Sequence, residues 1–437
     1  MSFRRVLMAL LPVAAIVAVA VTTGAGARPT YKVGQAAPGA AVSKCGMGTG
    51  KKATGAPIKI DGLDMLIPGV DFTTIGKVAA AYFACVNDNG GINGRPIKYK
   101  LYEEALNPAQ EAALARKMVQ SDHAIGIVGN TSFAECGTNW KYYHQQGYVV
   151  IGAGVQAECF STPSFAESNM GPRYSNLGAA QALIGAGVKK IAIASPDTIS
   201  AYADSAVATY GPSKGVQVKV FPTHLPVTDA NTIVQQLYQF AGSGGGIILD
   251  FTPDTAPALM KAAEQQGIVN DVKWGSSTPI ANTFMAGQFS PAFDGHLWIN
   301  QEFSNIDPSV GPDTRLMFAI LNSKTYNPNK IAPQAFAQMG FMDAMFATKA
   351  LLSITGAITA KSYNAAVVAL KDVKTDMLCK PWYVGNLAYH IANNTDITVD
   401  YKNGAVVVKQ PCFEITGATD APIRQTRVWE KKYHLNG

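Results

Sequence analysis

Residues Asn87 to Glu103 read Asn-Asp-Asn-Gly-Gly-Ile-Asn-Gly-Arg-Pro-Ile-Lys-Tyr-Lys-Leu-Tyr-Glu. An amphipathic segment, Ile75 to Val86, runs into Gly90-Gly91. Glycine takes the left-handed backbone that ends a helix at little steric cost. Asn93-Gly94 is a turn pair. Beyond it Ile97, Tyr99 and Leu101 alternate as a half-buried strand does. The stretch spells helix, stop, turn, strand, which is one step of an alternating α/β domain.

The alternation extends in both directions. Ile58 to Leu63 reads as a strand and Thr74 to Val86 as a helix. Asn107-Pro108-Ala109 opens a helix reaching Val119, with Pro in the first turn where its missing N–H is harmless. Ala124 to Val128 and Tyr148 to Ile151 are apolar strands ending in Gly129 and Gly152, on either side of a helix from Phe133 to Gln146. A second run has the same plan. Strands Lys190 to Ser195, Val216 to Phe221, Gly246 to Asp250 and Val272 to Gly275 interleave with helices Leu177 to Ala186, Tyr202 to Gly211, Asp229 to Phe240 and Thr255 to Gln266. Apolar strands set between helices imply parallel sheets covered on both faces. A long apolar helix, Phe336 to Leu352, follows, and from Tyr389 onward Ile397, Val399, Tyr401, Val406 and Val408 alternate as β structure. The expected fold is α/β, with two doubly wound parallel-sheet lobes and a multi-crossover hinge. The lobes would comprise 57–172 with about 303–388, and 173–302 with about 389–437.

The first 27 residues stand outside this pattern. Arg4 and Arg5, an apolar run from Val6 to Val21, and Ala25-Gly26-Ala27 form the three parts of a secretory signal peptide. The run holds Pro12 and falls short of the ~20 residues a membrane span needs. Residues 28–56, rich in Gly, Ala, Thr and Lys, read as a mobile leader. Removing Arg4 and Arg5 lowers the formal charge from +6 to +4, and that charge is scattered. A nucleic-acid binder concentrates its charge in a patch, so no nucleic-acid partner is expected. Six cysteines in an exported chain favour disulfides over metal. None forms a C-x-x-C pair and no His stands near them at zinc spacing. Among the many pairings open to six cysteines, Cys45–Cys85, Cys136–Cys159 and Cys379–Cys412 are the expectation. Cys136–Cys159 is the best argued, since both follow consecutive strands of one expected sheet.

The words Thr54-Gly55-Ala56-Pro57-Ile58-Lys59-Ile60, the Gly90 to Tyr102 block and Asn107-Pro108-Ala109-Gln110 resemble the branched-chain amino-acid substrate-binding proteins of bacterial ABC importers. Gly187 to Ile193 and Phe341-Met342-Asp343-Ala344 add weaker likeness, and the resemblance spans most of the chain from Pro57. It implies a type I periplasmic-binding fold, with a small-molecule ligand between two lobes and hinge closure that presents the loaded protein to a membrane permease. It also implies a monomer in the periplasm or cell envelope, with no cofactor and no catalysis.

In an open α/β sheet, ligands bind beyond the carboxyl ends of the strands. Here those ends hold Asp71 and Phe72, then Thr131, Ser132 and Phe133, then Ala153 and Gln156. The resemblance implies that Thr131, Ser132, Ala153 and Gln156 hold a ligand carboxylate. The second lobe would add Tyr202, Asp250, Phe251 and Ser277. Phe72, Phe133, Tyr202 and Phe251 would form apolar walls. Relatives pair a ligand ammonium with second-lobe acids, but Gly171 to Asn176 and Ser276-Ser277-Thr278 contain none. Asp250 or Asp71 could substitute. A carboxylate, amide or aromatic acid without an ammonium therefore fits at least as well as a leucine-like ligand.

Two other functions compete. An enzyme lacks support, because Gly242-Ser243-Gly244-Gly245-Gly246 precedes a strand instead of following one, and His123, His144, His224, His296, His390 and His434 are scattered. A sensor of the same fold would use the same site and feed a signalling partner.

Overall fold

The computed structural model describes residues 41–385 and 387–435. The expected signal peptide lies outside them. In chain order the elements are β1 (Ile58–Ile67), β2 (Val70–Asp71), α1 (Thr73–Asp88), β3 (Ile97–Glu104), α2 (Pro108–Arg116), β4 (Gly126–Asn130), α3 (Glu135–Gln146), β5 (Val150–Gly152), α4 (Ala157–Ser161) and β6 (Phe165–Glu167). Next come α5 (Gly171–Gly185), β7 (Lys190–Pro196), α6 (Asp197–Ala203), α7 (Ser205–Ser213), β8 (Gln217–Thr223), α8 (Ala230–Ala241), β9 (Gly246–Leu249), α9 (Ala256–Gln265), β10 (Lys273–Ser276), α10 (Thr283–Phe293) and β11 (Leu297–Gln301). The chain closes with α11 (Pro312–Asn322), α12 (Ala335–Leu352), α13 (Ala360–Val368), β12 (Thr395–Lys402), β13 (Ala405–Glu414) and α14 (Ala421–Tyr433).

Local chemistry sets the boundaries. Val86 carbonyl accepts from Asn89 and Gly91, and Gly90 and Gly91 take φ of +102° and +58°, so α1 stops there. Asn93 and Gly94 both have positive φ, at 51° and 84°, inside an Ile92–Arg95 bridge, the turn type that matches strand twist. Asn107 Oδ1 accepts from the Ala109 and Gln110 amides and caps α2.

Two sheets result. In the first, β1 pairs in parallel with β3 and β4, and the parallel order continues through β5 to β6. In the second the order is β13-β12-β11-β10-β9-β7-β8, parallel except where β12 and β13 add antiparallel at the edge beyond β11. Helix α12 lies on α1, β4 and β5, and α11 on α1, so both belong to the first lobe. Helix α5 packs on β9, β10 and β11 of the second. The chain thus passes between the sheets after β6, after β11 and before β12. One apolar core centres on α1 and α12, another on β9 to β12 with α8 to α10.

The described part of the expected mobile leader is not free. Cys45, 3 % exposed, is disulfide-bonded to Cys85 of α1, and Ala53 is buried against the α1 exit, where its amide N–H donates to the Asn87 carbonyl at 2.8 Å. The expected Cys45–Cys85 bond is thus present, and it holds down a stretch whose low apolar content read as mobile. The other bonds are Cys136–Cys159, between α3 and α4, and Cys379–Cys412. The last ties the segment following α13 to β13. That segment also sits on the first lobe, where Trp382 stacks on Phe346 at 4.1 Å and donates to the Glu167 carbonyl at 2.9 Å.

Candidate functional site

Between the lobes, at the carboxyl ends of the parallel strands, lies a cavity of about 560 Å³, its solvent-open part included. The first lobe contributes Phe72 from the α1 entry, Thr131 and Phe133 after β4, Ala153 and Val155 after β5, and Phe336 and Met339 from the start of α12. Phe72 meets Phe133 and Phe336 edge to face at 5.4 and 5.5 Å, which fixes this wall as one aromatic unit. The second lobe contributes Ile199, Asp250, Phe251, Ser277 and Thr278, each just past a strand. Ser175 of α5 and Glu302, at the crossing after β11, complete the polar side.

The two acids are held by the protein. Asp250 accepts from the Asn176 amide at 2.9 Å and from the Ser277 hydroxyl. Glu302 accepts from the Met170 amide at 2.6 Å and from Thr278 Oγ1 at 3.2 Å, which places its carboxyl at the N-terminus of α5. Burial raises the pKa of both, and Glu302 reaches about 7. Desolvation outweighs the donors around it.

Phe72, Thr131, Phe133, Ala153, Asp250, Phe251 and Ser277 are brought together on this cavity. Four other residues expected there are not. Asp71 sits at the cleft mouth, where Oδ1 accepts from Thr73 N at 2.8 Å and closes the start of α1. Ser132 turns inward between Glu104, at 2.8 Å, and Glu111. Its single hydroxyl proton serves one of these carboxyls. The other must bring its own proton, consistent with burial pushing Glu111 up. Gln156 Oε1 accepts from the Gly137 amide at 3.1 Å. Tyr202 packs toward the cluster of Phe160 and Tyr174, with the Arg173 guanidinium 6.0 Å from its ring. Arg173 itself is paired with Asp420 and donates to Ser205 at 2.9 Å. Sequence reading missed Glu302, Ser175, Ile199, Phe336 and Met339. Leu297 and Ile299, alternating in β11, were the available signal for a strand ending beside Glu302.

The lobes also touch across the mouth. Thr252 and Thr255 hydroxyls donate to the Gly69 carbonyl at 2.9 and 2.8 Å, and Asp71 N donates to Asp254 at 3.3 Å. The described structure is therefore a closed one.

Several known proteins are similar to this chain. An amino acid binding protein of Pseudomonas aeruginosa is 33% identical over 69 residues, which is 16% of this chain and 18% of that relative's length. Among solved structures, a fatty acid ABC transporter substrate-binding protein from Thermomonospora curvata superimposes with a TM-score of 0.70 at 14% identity, covering 88% of this chain and 98% of that one. A branched chain amino acid ABC transporter from Thermus thermophilus with bound valine gives 0.67 at 13% identity, covering 82% and 96%. At such identities the likeness establishes the fold. The profile of the periplasmic binding protein family matches residues 72–398, and the chain belongs to that family.

Proposed function

We propose that this protein is an extracytoplasmic solute-binding protein that captures a small organic ligand between its lobes and delivers it to the permease of an ABC importer. The observation that carries the reading is the cavity between the lobes, walled by both and closed at its mouth by Thr252 and Thr255 on Gly69. A ligand touching Phe72 and Phe133 on one side and Asp250, Phe251 and Ser277 on the other gains its contacts only in the closed form. It shifts the open–closed equilibrium by that difference in affinity. A permease then reads closure as loading. The expected signal peptide supports action outside the cytoplasmic membrane, and no helix of the described residues is long and apolar enough to cross one. The reading includes a monomer without catalytic chemistry, cofactor or nucleic-acid partner.

Thermal-shift screening against small amines, amides, organic acids and amino acids tests it. A ligand raising the melting temperature should lose at least about tenfold in affinity with Phe251→Ala. An affinity unchanged by Phe251→Ala and by Phe133→Ala removes the cleft from the binding site.

A further inference from the structure

The cavity is divided by polarity. Its first-lobe wall is mainly Phe72, Phe133, Val155, Phe336 and Met339, with Thr131 and Asn169 among them, while both acids, Asp250 and Glu302, stand on the facing side with Ser175, Ser277 and Thr278, beside Ile199 and Phe251. Resting on the cleft being the ligand site, we propose that it takes a small apolar amine, held as its ammonium by Glu302 and Asp250, and rejects free carboxylic acids and α-amino acids.

Three observations carry this. First, among the described residues that line the cavity none is Lys, Arg or His, and two are acids. Second, on the first-lobe wall three of the strand-end amides that could hold a ligand carboxylate are already engaged. The Thr131, Ala153 and Gly154 amides donate to Leu63 O, Asn130 O and Asn169 Oδ1. Asn169 returns its Nδ2 to Gly154 O at 3.0 Å, so its side-chain amide is used on both ends. Helix N-termini are the usual anion sites, and at α5 the place belongs to Glu302, through Met170 N. Third, Val155 adds a hydrocarbon side chain and no donor to the same wall. A ligand carboxylate would be desolvated beside two carboxyl groups with no counter-charge, which is costly. An ammonium supplies the missing charge and three donors to groups rich in lone pairs. An α-amino acid brings that ammonium but strands its carboxylate.

The ionisation of Glu302 adds a check. Asp396 of β12 and Asp250 are the acids disposed around it, and burial holds Glu302 near 7. An ammonium binds the ionised carboxylate, so affinity for an amine should climb from pH 6 to pH 8 and then level off while the amine stays charged, near pKa 10.

The experiment is calorimetry on the purified full chain with isoamylamine and benzylamine, against isovalerate and benzoate, isovaleramide and benzamide, and leucine. The expected result is binding of an amine at least about tenfold tighter than its acid and amide counterparts and than leucine. Affinity should rise severalfold from pH 6 to 8 and fall about tenfold or more in Glu302→Gln. If that variant does not fold, Asp250→Asn makes the same test. Equal or tighter binding of an acid, an amide or leucine overturns the proposal, as does no binding of either amine. A bound acid whose affinity still falls with Phe251→Ala shows the cleft reading right and the ligand class wrong.

Discussion

Thr252 of the second lobe donates its hydroxyl to the carbonyl of Gly69 in the first, 2.9 Å away, and Thr255 shares the same acceptor at 2.8 Å. These bonds exist only with the cleft shut, and each contributes about 0.5–1.5 kcal/mol net. Thr252→Val with Thr255→Val should therefore favour the open form. The expected outcome is a five- to thirtyfold loss of ligand affinity, about 1–2 kcal/mol, and a larger radius of gyration without ligand by small-angle scattering, at nearly unchanged melting temperature.

Gly340 of α12 crosses α1 so closely that an added Cβ would stand 2.0 Å from the Ile75 carbonyl oxygen. Gly340→Ala must lift α12, which carries Phe336 and Met339 of the cavity wall. Overpacking of this kind costs about 1–3 kcal/mol. Denaturant unfolding should show that loss, and ligand titration should show weaker binding.

Several acids are buried without a cation. Burial raises Asp343, Glu135 and Asp204 to about 7 each. In that range the folded form holds protons that the unfolded chain, with ordinary carboxyls near 4, has released. Their share of stability is complete below about pH 4 and is lost as pH rises through 7. His390, lowered to about 4 by burial, acts oppositely, since the unfolded chain takes up its proton first as pH falls through 6.5. The acids outnumber it. The ligand-free melting temperature should drop by on the order of 5 °C from pH 5.5 to pH 8. Asp343→Asn should flatten that slope, and a rise in melting temperature over the interval would refute the sign.

Cys379 and Cys412 join the segment after α13, which lies on the first lobe through Trp382, to an edge strand of the second. Lys380 reinforces the junction through Glu430 at 3.0 Å and Glu414 at 2.5 Å. Replacing both cysteines with alanine should cost about 2–4 kcal/mol in unfolding free energy. Hydrogen exchange should quicken first in residues 369–394.

The fold was legible because its signals are local. Gly90-Gly91, Asn93-Gly94 and Asn107-Pro108 each mark a boundary with backbone chemistry that needs no partner. Strand ends then located Phe72, Thr131, Phe133, Ala153, Asp250, Phe251 and Ser277 on the cavity. Illegible were the matters decided by direction. Ser132 adjoins Thr131 and Phe133 in sequence, yet it turns away to Glu104 and Glu111. Tyr202 lies on α6 but faces Arg173. Glu302 escaped notice because its placement depends on α5, more than a hundred residues earlier, whose entry amide at Met170 receives it. Residues 41–56 read as loose although the Cys45–Cys85 bond was expected, because their docking also runs through single backbone contacts such as the Ala53 amide on the Asn87 carbonyl, which leave no periodic pattern.

The threading of the chain also sets which half is completed last. Strand β11 is complete at residue 301, but β12, its neighbour in the sheet, begins at 395. Until that final hairpin docks, the outer edge of β11 keeps its amides and carbonyls unpaired. An unshielded margin of that kind invites pairing with another chain. The second lobe is thus completed last, and a chain cut short before residue 395 should self-associate through β11 where the full chain does not.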